Sequence, residues 1–384
     1  MRREESSLSR RELFAVAGSG LFVFFAVEPL DAQEPQRLPG RPSGPTDFNA
    51  YLRINPDGRV TCFTGKVELG QGSMTALAQL LAEELDVPFD SVDMVMGDTD
   101  LCPFDMGTFG SMCIRLTGPV IRAAGAEARA VLLQLAAERL QAPVERLQAK
   151  AGVISDASAG KRVTYAELVE GKRIERHLDK VPVKSPAAFT VVGKPVRRKD
   201  ALEKVTGKAR YAGDFAPAGM LYARILRPPA HGATLKDVDT SAAEKAGARV
   251  VKDGGMVAVL HERRDLAERA LDLVKAQFQP PQPGPGDKTI FDHLLKAGPQ
   301  PRVVGESGSL AEGEKLSAAI VEETYLNSYV AHAPMETHSA TATIEGGKAT
   351  VWASTQTPFP LKDAAASLLG MAPSNVRVIA PFVG

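Results

Sequence analysis

From residue 48 onward, apolar and polar positions alternate along 51–54 and again along 60–63, with Asn55-Pro56-Asp57-Gly58 between the two runs. Period-two alternation around such a cluster predicts a β-hairpin. After Gly70-Gln71-Gly72 the period changes. Met74, Leu77, Leu81 and Leu85 then share one helical face, Ser73 stands where an N-cap belongs, and Pro88 closes the element. A third strand is expected at 92–96 and a polar, glycine-rich loop at 97–117. A long alanine-rich helix follows over 119–141, with Ile121, Ala124, Ala128, Leu132 and Leu135 in helical register. Residues 143–190 lose this periodicity and read as an edge and a connector.

A second unit begins near Val191, with strand-like runs at 221–226 and 256–260 and a helix expected over 264–277. It closes on Gln279-Pro280-Pro281-Gln282-Pro283-Gly284-Pro285-Gly286, which can build neither helix nor ladder. From Ala318 the pattern returns to strands, at 341–344 and 349–353 around Glu345-Gly346-Gly347. The apolar run 376–383 reads as one more strand, with its sheet partners expected to be missing.

Composition narrows the function classes. The chain has 384 residues, 44% of them hydrophobic and 24% charged, which is enough for two or three domains with real cores. Its 46 basic and 46 acidic side chains cancel, so no strong field favours nucleic acid or an anionic membrane. The three cysteines, Cys62, Cys102 and Cys113, include no C-x-x-C pair, so no zinc or iron–sulfur site is expected. Free core thiols are one arrangement and a single disulfide is another.

At the amino terminus, Ser9-Arg10-Arg11-Glu12-Leu13-Phe14 sets adjacent arginines before an apolar stretch over 13–27. That is twin-arginine signal grammar. The stretch is shorter than the roughly 20 apolar residues of a membrane span. Cleavage near Ala32 is expected to release an exported, periplasmic protein with no stable span.

The densest chemistry lies in Gly65-Lys66-Val67-Glu68-Leu69-Gly70-Gln71-Gly72-Ser73-Met74-Thr75. Glycines at a strand-to-helix turn let backbone N–H groups approach an anion, and the helix dipole favours negative charge there. The spacing is neither the G-x-G-x-x-G of a dinucleotide fold nor a P-loop, so taken alone the turn reads as structural. Downstream lie Met96-Gly97-Asp98-Thr99-Asp100 and Gly107-Thr108-Phe109-Gly110-Ser111. His231 reads as a packing residue. His332 and His338 flank Glu336 without the helical H-E-x-x-H frame, so no metal site is assigned to them.

Together these strings resemble the pterin-binding part of the xanthine dehydrogenase/aldehyde oxidase family. The run Asp200-Ala201-Leu202-Glu203-Lys204-Val205-Thr206-Gly207-Lys208-Ala209-Arg210-Tyr211-Ala212-Gly213-Asp214 is similar to the opening of that family's α/β hammerhead domain, and Leu226-Arg227-Pro228-Pro229 continues it. Trp352-Ala353-Ser354-Thr355-Gln356 looks like a segment bordering the molybdenum centre. The Gly-Gln-Gly element precedes the hammerhead string, an order that resembles isoquinoline 1-oxidoreductase large subunits.

The resemblance implies an α+β fold of mixed sheets with packed helices, with the hammerhead domain between two molybdopterin-binding segments. The implied divisions are 1–33 signal, 34–47 Pro-rich linker, 48–190 molybdopterin-binding segment, 191–286 hammerhead and 287–384 a truncated start of the molybdenum-cofactor domain. It implies a molybdopterin-type molybdenum cofactor, its cytosine dinucleotide form among the options, contacted by Leu69, Gly70, Gln71, Gly110, Ser111 and Gln356. The implied reaction is oxidative hydroxylation of an aldehyde or N-heterocycle, with a 2Fe–2S small subunit and a cytochrome c as electron partners. No catalytic carboxylate and no protein metal ligand is assigned. On this reading the chain is the amino-terminal half of a large subunit and inactive alone, the alternative being a non-catalytic truncated or split-gene product that binds only cofactor or a complementary chain.

Overall fold

The computed structural model describes residues 20–25, 49–169, 173–174, 178, 181–300 and 302–384, which divide into two compact units, 1–216 with 334–384, and 217–333. The twin-arginine string, the cleavage position and the Pro-rich linker lie outside the described residues. Within the apolar stretch assigned to the signal, Gly20–Phe25 forms strand β1.

The first unit is built on a five-stranded sheet. The expected hairpin is present as antiparallel β2 (Asn49–Ile54) and β3 (Val60–Thr64). Leu52, Ile54, Val60 and Cys62 are fully buried, as alternation on a one-sided sheet requires. Helix α1 (Ser73–Leu85) crosses over to β4 (Val92–Met96), which runs parallel to β3. The long helix α2 (Gly118–Leu140) lies against α1, and Leu77, Leu81, Leu85, Ile121, Val131 and Leu132 form the middle of the core. Its apolar stripe matches the sequence pattern, and a π-helical turn, Cys113–Thr117, precedes it inside the expected loop.

Residues 143–190 are more regular than their sequence suggests. Short strands β5 (Leu147–Lys150), β6 (Val153–Asp156) and β7 (Lys161–Thr164) make an antiparallel meander that leads into α3 (Tyr165–Val169). Strand β8 (Arg173–Ile174) closes the main sheet beside β1, giving the order β4-β3-β2-β1-β8. Residues 191–200, grouped by pattern with the middle domain, pack instead on α1. The Gln79 amide donates to the carbonyls of Val191 (3.2 Å) and Lys194 (3.1 Å), and Lys199 N donates to Thr75 Oγ1 at 3.0 Å. Helix α4 (Ala201–Val205) follows them.

The second unit contains a three-stranded sheet of β9 (Tyr222–Ile225), β11 (Arg249–Asp253) and β12 (Met256–His261), with β12 in the middle, and the antiparallel pair β10 (Thr234–Asp239) with β13 (Lys275–Gln279). Helices α5 (Ser241–Lys245) and α6 (Arg264–Asp272) frame a small core of Ala243, Ala248, Val259 and Ala270. The helix expected through 277 ends at Asp272, because Lys275-Ala276-Gln277-Phe278-Gln279 alternates in burial as a strand does. His231 is exposed and packs into no core. Helices α7 (Ile290–Ala297) and α8 (Leu310–Leu316) complete this unit.

The chain then returns to the first unit through β14 (Ala340–Glu345), β15 (Lys348–Ala353), α9 (Pro358–Leu369) and β16 (Val376–Ile379). The expectation that the last apolar run lacks sheet partners is wrong. β16 pairs in parallel with β15, buries Val376 and Val378 completely, and leads into Ala380 and Val383, which pack on Val67.

Candidate functional site

Three sequence-distant segments of the first unit meet at one place: the strand-to-helix turn 65–74, the loop 103–113 and the segment 354–359. Lys66, only 5% exposed, donates from Nζ to Asp105 Oδ1 (2.9 Å) and to the Gly107 carbonyl (2.7 Å). Val67 N donates to Thr108 Oγ1 at 2.8 Å, and Thr108 N donates to the Gln356 carbonyl at 2.9 Å. A single buried threonine therefore ties the first segment to the third. Gly65 and Gly107 permit the close approach: a Cβ on Gly65 would lie 2.4 Å from Asp105 Cβ, and one on Gly107 would lie 2.7 Å from Thr357 Cγ2. Phe104 meets Phe359 edge-on at 5.3 Å beside them.

The Gly-Gln-Gly turn is held from within. Glu68, 3% exposed, accepts from Gly70 N and Gly72 N at Oε1 (2.9 Å each), and from Met74 N (2.8 Å) and Ser73 Oγ (3.3 Å) at Oε2. The expected cap therefore differs: Gly72 occupies the N-cap position and Ser73 donates to Glu68 rather than accepting from the helix. Gln71 folds back, its Oε1 accepting from Leu69 N (2.6 Å) and its Nε2 donating to the Val67 carbonyl (3.0 Å). Cys113, half-buried, opens the π-helical turn that follows the 103–112 loop. Burial pushes that thiol up, against the pull of the Lys66 charge and the Gln71 side chain. Behind the turn, Arg198 donates to the Gly70 carbonyl (2.9 Å) and to Asp200. The Arg198 hydrogen bonds, with Lys204, outweigh burial and hold the Asp200 carboxyl well below the usual range.

The structure thus brings all six expected contact residues onto segments that converge. Gly70, Gln71, Gly110, Ser111 and Gln356 are exposed, whereas the Leu69 side chain turns inward against Val67, Ala380 and Val383. Gly110 and Ser111 both take left-handed backbone, φ 63° and 56°. The backbone at Gly70 is open, since a Cβ there would meet nothing within 4 Å, which leaves room for a planar group to approach it. A phosphate at the amino terminus of α1 does not fit, because the amides there already serve Glu68. Sequence reasoning missed Lys66, Glu68, Thr108 and Arg198. The legible signal for Glu68 was a carboxylate set just before a glycine-rich helix start. His332 and His338 are both exposed.

A family model described as molybdopterin cofactor-binding domain matches residues 3–215, and a second of the same description matches residues 296–384. The chain is 32% identical to a subunit of the nicotinate dehydrogenase of Pseudomonas putida, over 86% of this chain and 29% of that protein. It is 30% identical to the beta subunit of isoquinoline 1-oxidoreductase from Brevundimonas diminuta, over 88% of this chain and 50% of that protein. The chain thus spans half or less of the length of these curated relatives. Quinoline 2-oxidoreductase from Pseudomonas putida 86 overlays on 49% of this chain and 30% of its own, at TM-score 0.39 and 20% identity. On the match over residues 3–215, more than half its length, the chain belongs to the molybdopterin cofactor-binding family of xanthine dehydrogenase-type molybdenum-binding subunits.

Proposed function

We propose that the chain holds a molybdopterin-type molybdenum cofactor where its three segments join, and serves a molybdenum-dependent oxidoreductase acting on an aldehyde or an N-heterocycle. The observation that supports this reading is the junction itself, in which Lys66 and Thr108 tie together the three segments that carry the Gly-Gln-Gly turn, the exposed Gly110 and Ser111, and the exposed Gln356. Leu69, Gly70, Gln71, Gly110, Ser111 and Gln356 form the contact surface. The backbone at Gly70 and Gly110 lets a planar ring approach, and the amides of Gln71 and Gln356 offer both donors and acceptors. The cofactor, when bound, supplies two-electron oxidation of a carbon next to nitrogen or oxygen.

The same reading extends to finer points. Residues 48–190 and 287–384 are the two cofactor-binding segments, with a hammerhead domain over 191–286 between them. The cofactor is the cytosine dinucleotide form, and Arg10-Arg11 direct twin-arginine export to the periplasm. Electrons leave to a partner subunit, as the naming of the relatives as subunits supports, and on this reading that partner is a 2Fe–2S small subunit that passes them to a cytochrome c.

The test uses the chain with cofactor released from a molybdoenzyme, followed by gel filtration and measurement of bound molybdenum and of pterin fluorescence. Wild type retains both in equal amount, and Gln356→Ala, which removes an exposed amide without touching the core, retains several-fold less. A chain that retains neither overturns the reading.

A further inference from the structure

The amino terminus of α1 is where a glycine-rich turn is normally read as an anion site. Here the anion is part of the chain. Both oxygens of Glu68 are engaged, with Gly70 N, Gly72 N and Arg198 Nη2 (3.4 Å) on Oε1 and Met74 N and Ser73 Oγ on Oε2. Five donors exceed the roughly four lone-pair sites of a carboxylate. Left-handed backbone at Gly70 (φ 97°) and Gly72 (φ 83°) is what lets the turn wrap one side chain. Arg198 covers the outside and also grips the Gly70 carbonyl.

We propose that Glu68 is the resident anion of this helix terminus and the positioning residue of the Gly-Gln-Gly turn, closing the terminus to external phosphate and fixing Gln71 for contact with a ligand. Displacing a buried, hydrogen-bonded carboxylate would leave it unpaired, and an incoming phosphate offers nothing to relieve that. The phosphate-bearing end of a ligand is therefore met elsewhere on the junction, and the turn presents the Gln71 face. Gln71 cannot fold back onto Leu69 N and the Val67 carbonyl unless the loop keeps the curvature that Glu68 imposes. The inference rests on the cofactor reading only in naming Gln71 a contact. The closed terminus is tested with inorganic phosphate alone, so each can fail without the other.

The backbone amides of the isotopically labelled chain are followed by NMR during titration with inorganic phosphate. In wild type the Gly70, Gly72 and Met74 resonances stay in place. In Glu68→Ala they move with added phosphate, and the thermal midpoint rises with phosphate in the variant alone, an anion rescue that a merely structural side chain would not show. Glu68→Gln keeps the shape and loses the charge, and exchange of the same three amides accelerates about tenfold, the loss of a charge-assisted bond. Phosphate-dependent shifts of those amides in wild type overturn the proposal, as does unchanged exchange in Glu68→Gln. If Glu68→Ala does not fold, the wild-type titration and Glu68→Gln decide alone. A chain that binds no molybdopterin yet passes these tests leaves Glu68 as the resident anion and removes only the cofactor reading.

Discussion

Glu83 shows how one side chain can hold a loop. It lies in the last turn of α1, 1% exposed, and its Oε2 accepts from Thr190 N (2.8 Å), Val191 N (2.6 Å) and Val192 N (3.0 Å). Lys184 Nζ approaches Oε1 at 3.3 Å. Burial pushes the carboxyl up, but the three amides and Lys184 outweigh it and hold Glu83 below the usual carboxylate range. A folded-state value lower than the unfolded one adds stability above the unfolded value, and that stability is lost as pH falls through the folded one. Glu83→Ala should therefore cost about 3 kcal/mol at neutral pH, because three backbone amides lose their buried, charged acceptor. Trp352, the sole tryptophan, stacks on Phe215 in the first unit, so its fluorescence during urea denaturation reads this unit directly. The gap between wild type and variant should narrow as pH drops below the usual carboxylate range. Glu145→Ala, at an exposed position, should stay within about 0.5 kcal/mol. A gap independent of pH would mean that packing, not the charge, is what Glu83 supplies.

At the scale of elements, the contact of α1 with α2 turns on Gly125. A Cβ there would lie 2.8 Å from Glu84 Cβ and 3.2 Å from Leu81 Cδ1. Alanine in mid-helix normally gains up to about 1 kcal/mol over glycine, but overpacking costs about 1–3 kcal/mol. Gly125→Ala should therefore lower the urea midpoint of the Trp352 signal. Gly313→Ala in α8, where a Cβ meets nothing within 4 Å, should leave it unmoved. A raised midpoint for Gly125→Ala would show that the two helices can separate at no cost. Helices with one clear apolar stripe and a hairpin with a clear turn were legible in the sequence, because period and punctuation are local. The meander β5–β7 was not, since its strands have four residues each and carry charge at Lys150, Asp156 and Lys161. β13 is hard to read for a related reason, as a five-residue strand directly after a helix offers little period. The site was legible as segments but not as chemistry. Gly70, Gln71, Gly110, Ser111 and Gln356 stand out by residue type, whereas Lys66 and Thr108 act across 39 residues and more, a relation that no local window contains.

For the whole molecule, the first unit is assembled from two stretches of chain that the second unit separates in sequence. What joins them is specific and partly buried. Arg377 donates to both oxygens of Asp98 (3.0 and 2.5 Å), Thr99 N donates to the Val378 carbonyl, Val378 N to Thr99 Oγ1, and Ala380 N to the Gly97 carbonyl. Thr341 Oγ1 donates to the carbonyls of Ala212 and Phe215, and Val67 packs on Ala380 and Val383. Between the two stretches, residues 318–333 form neither helix nor strand, and Tyr325 is 91% exposed. Exposed, irregular backbone carrying an aromatic residue is a good substrate for chymotrypsin. Brief digestion should cut at Tyr325 or Tyr329, and the carboxy-terminal fragment should remain bound, co-eluting with the rest on gel filtration and separating only in denaturant. Asp98→Ala should loosen it, because a charge-assisted pair in partly buried surroundings contributes about 1.5–3 kcal/mol and Arg377 is left without its partner. Release of that fragment from the nicked wild-type chain in native buffer would mean that covalent continuity, and not this interface, holds β14, β15 and β16 to the first unit.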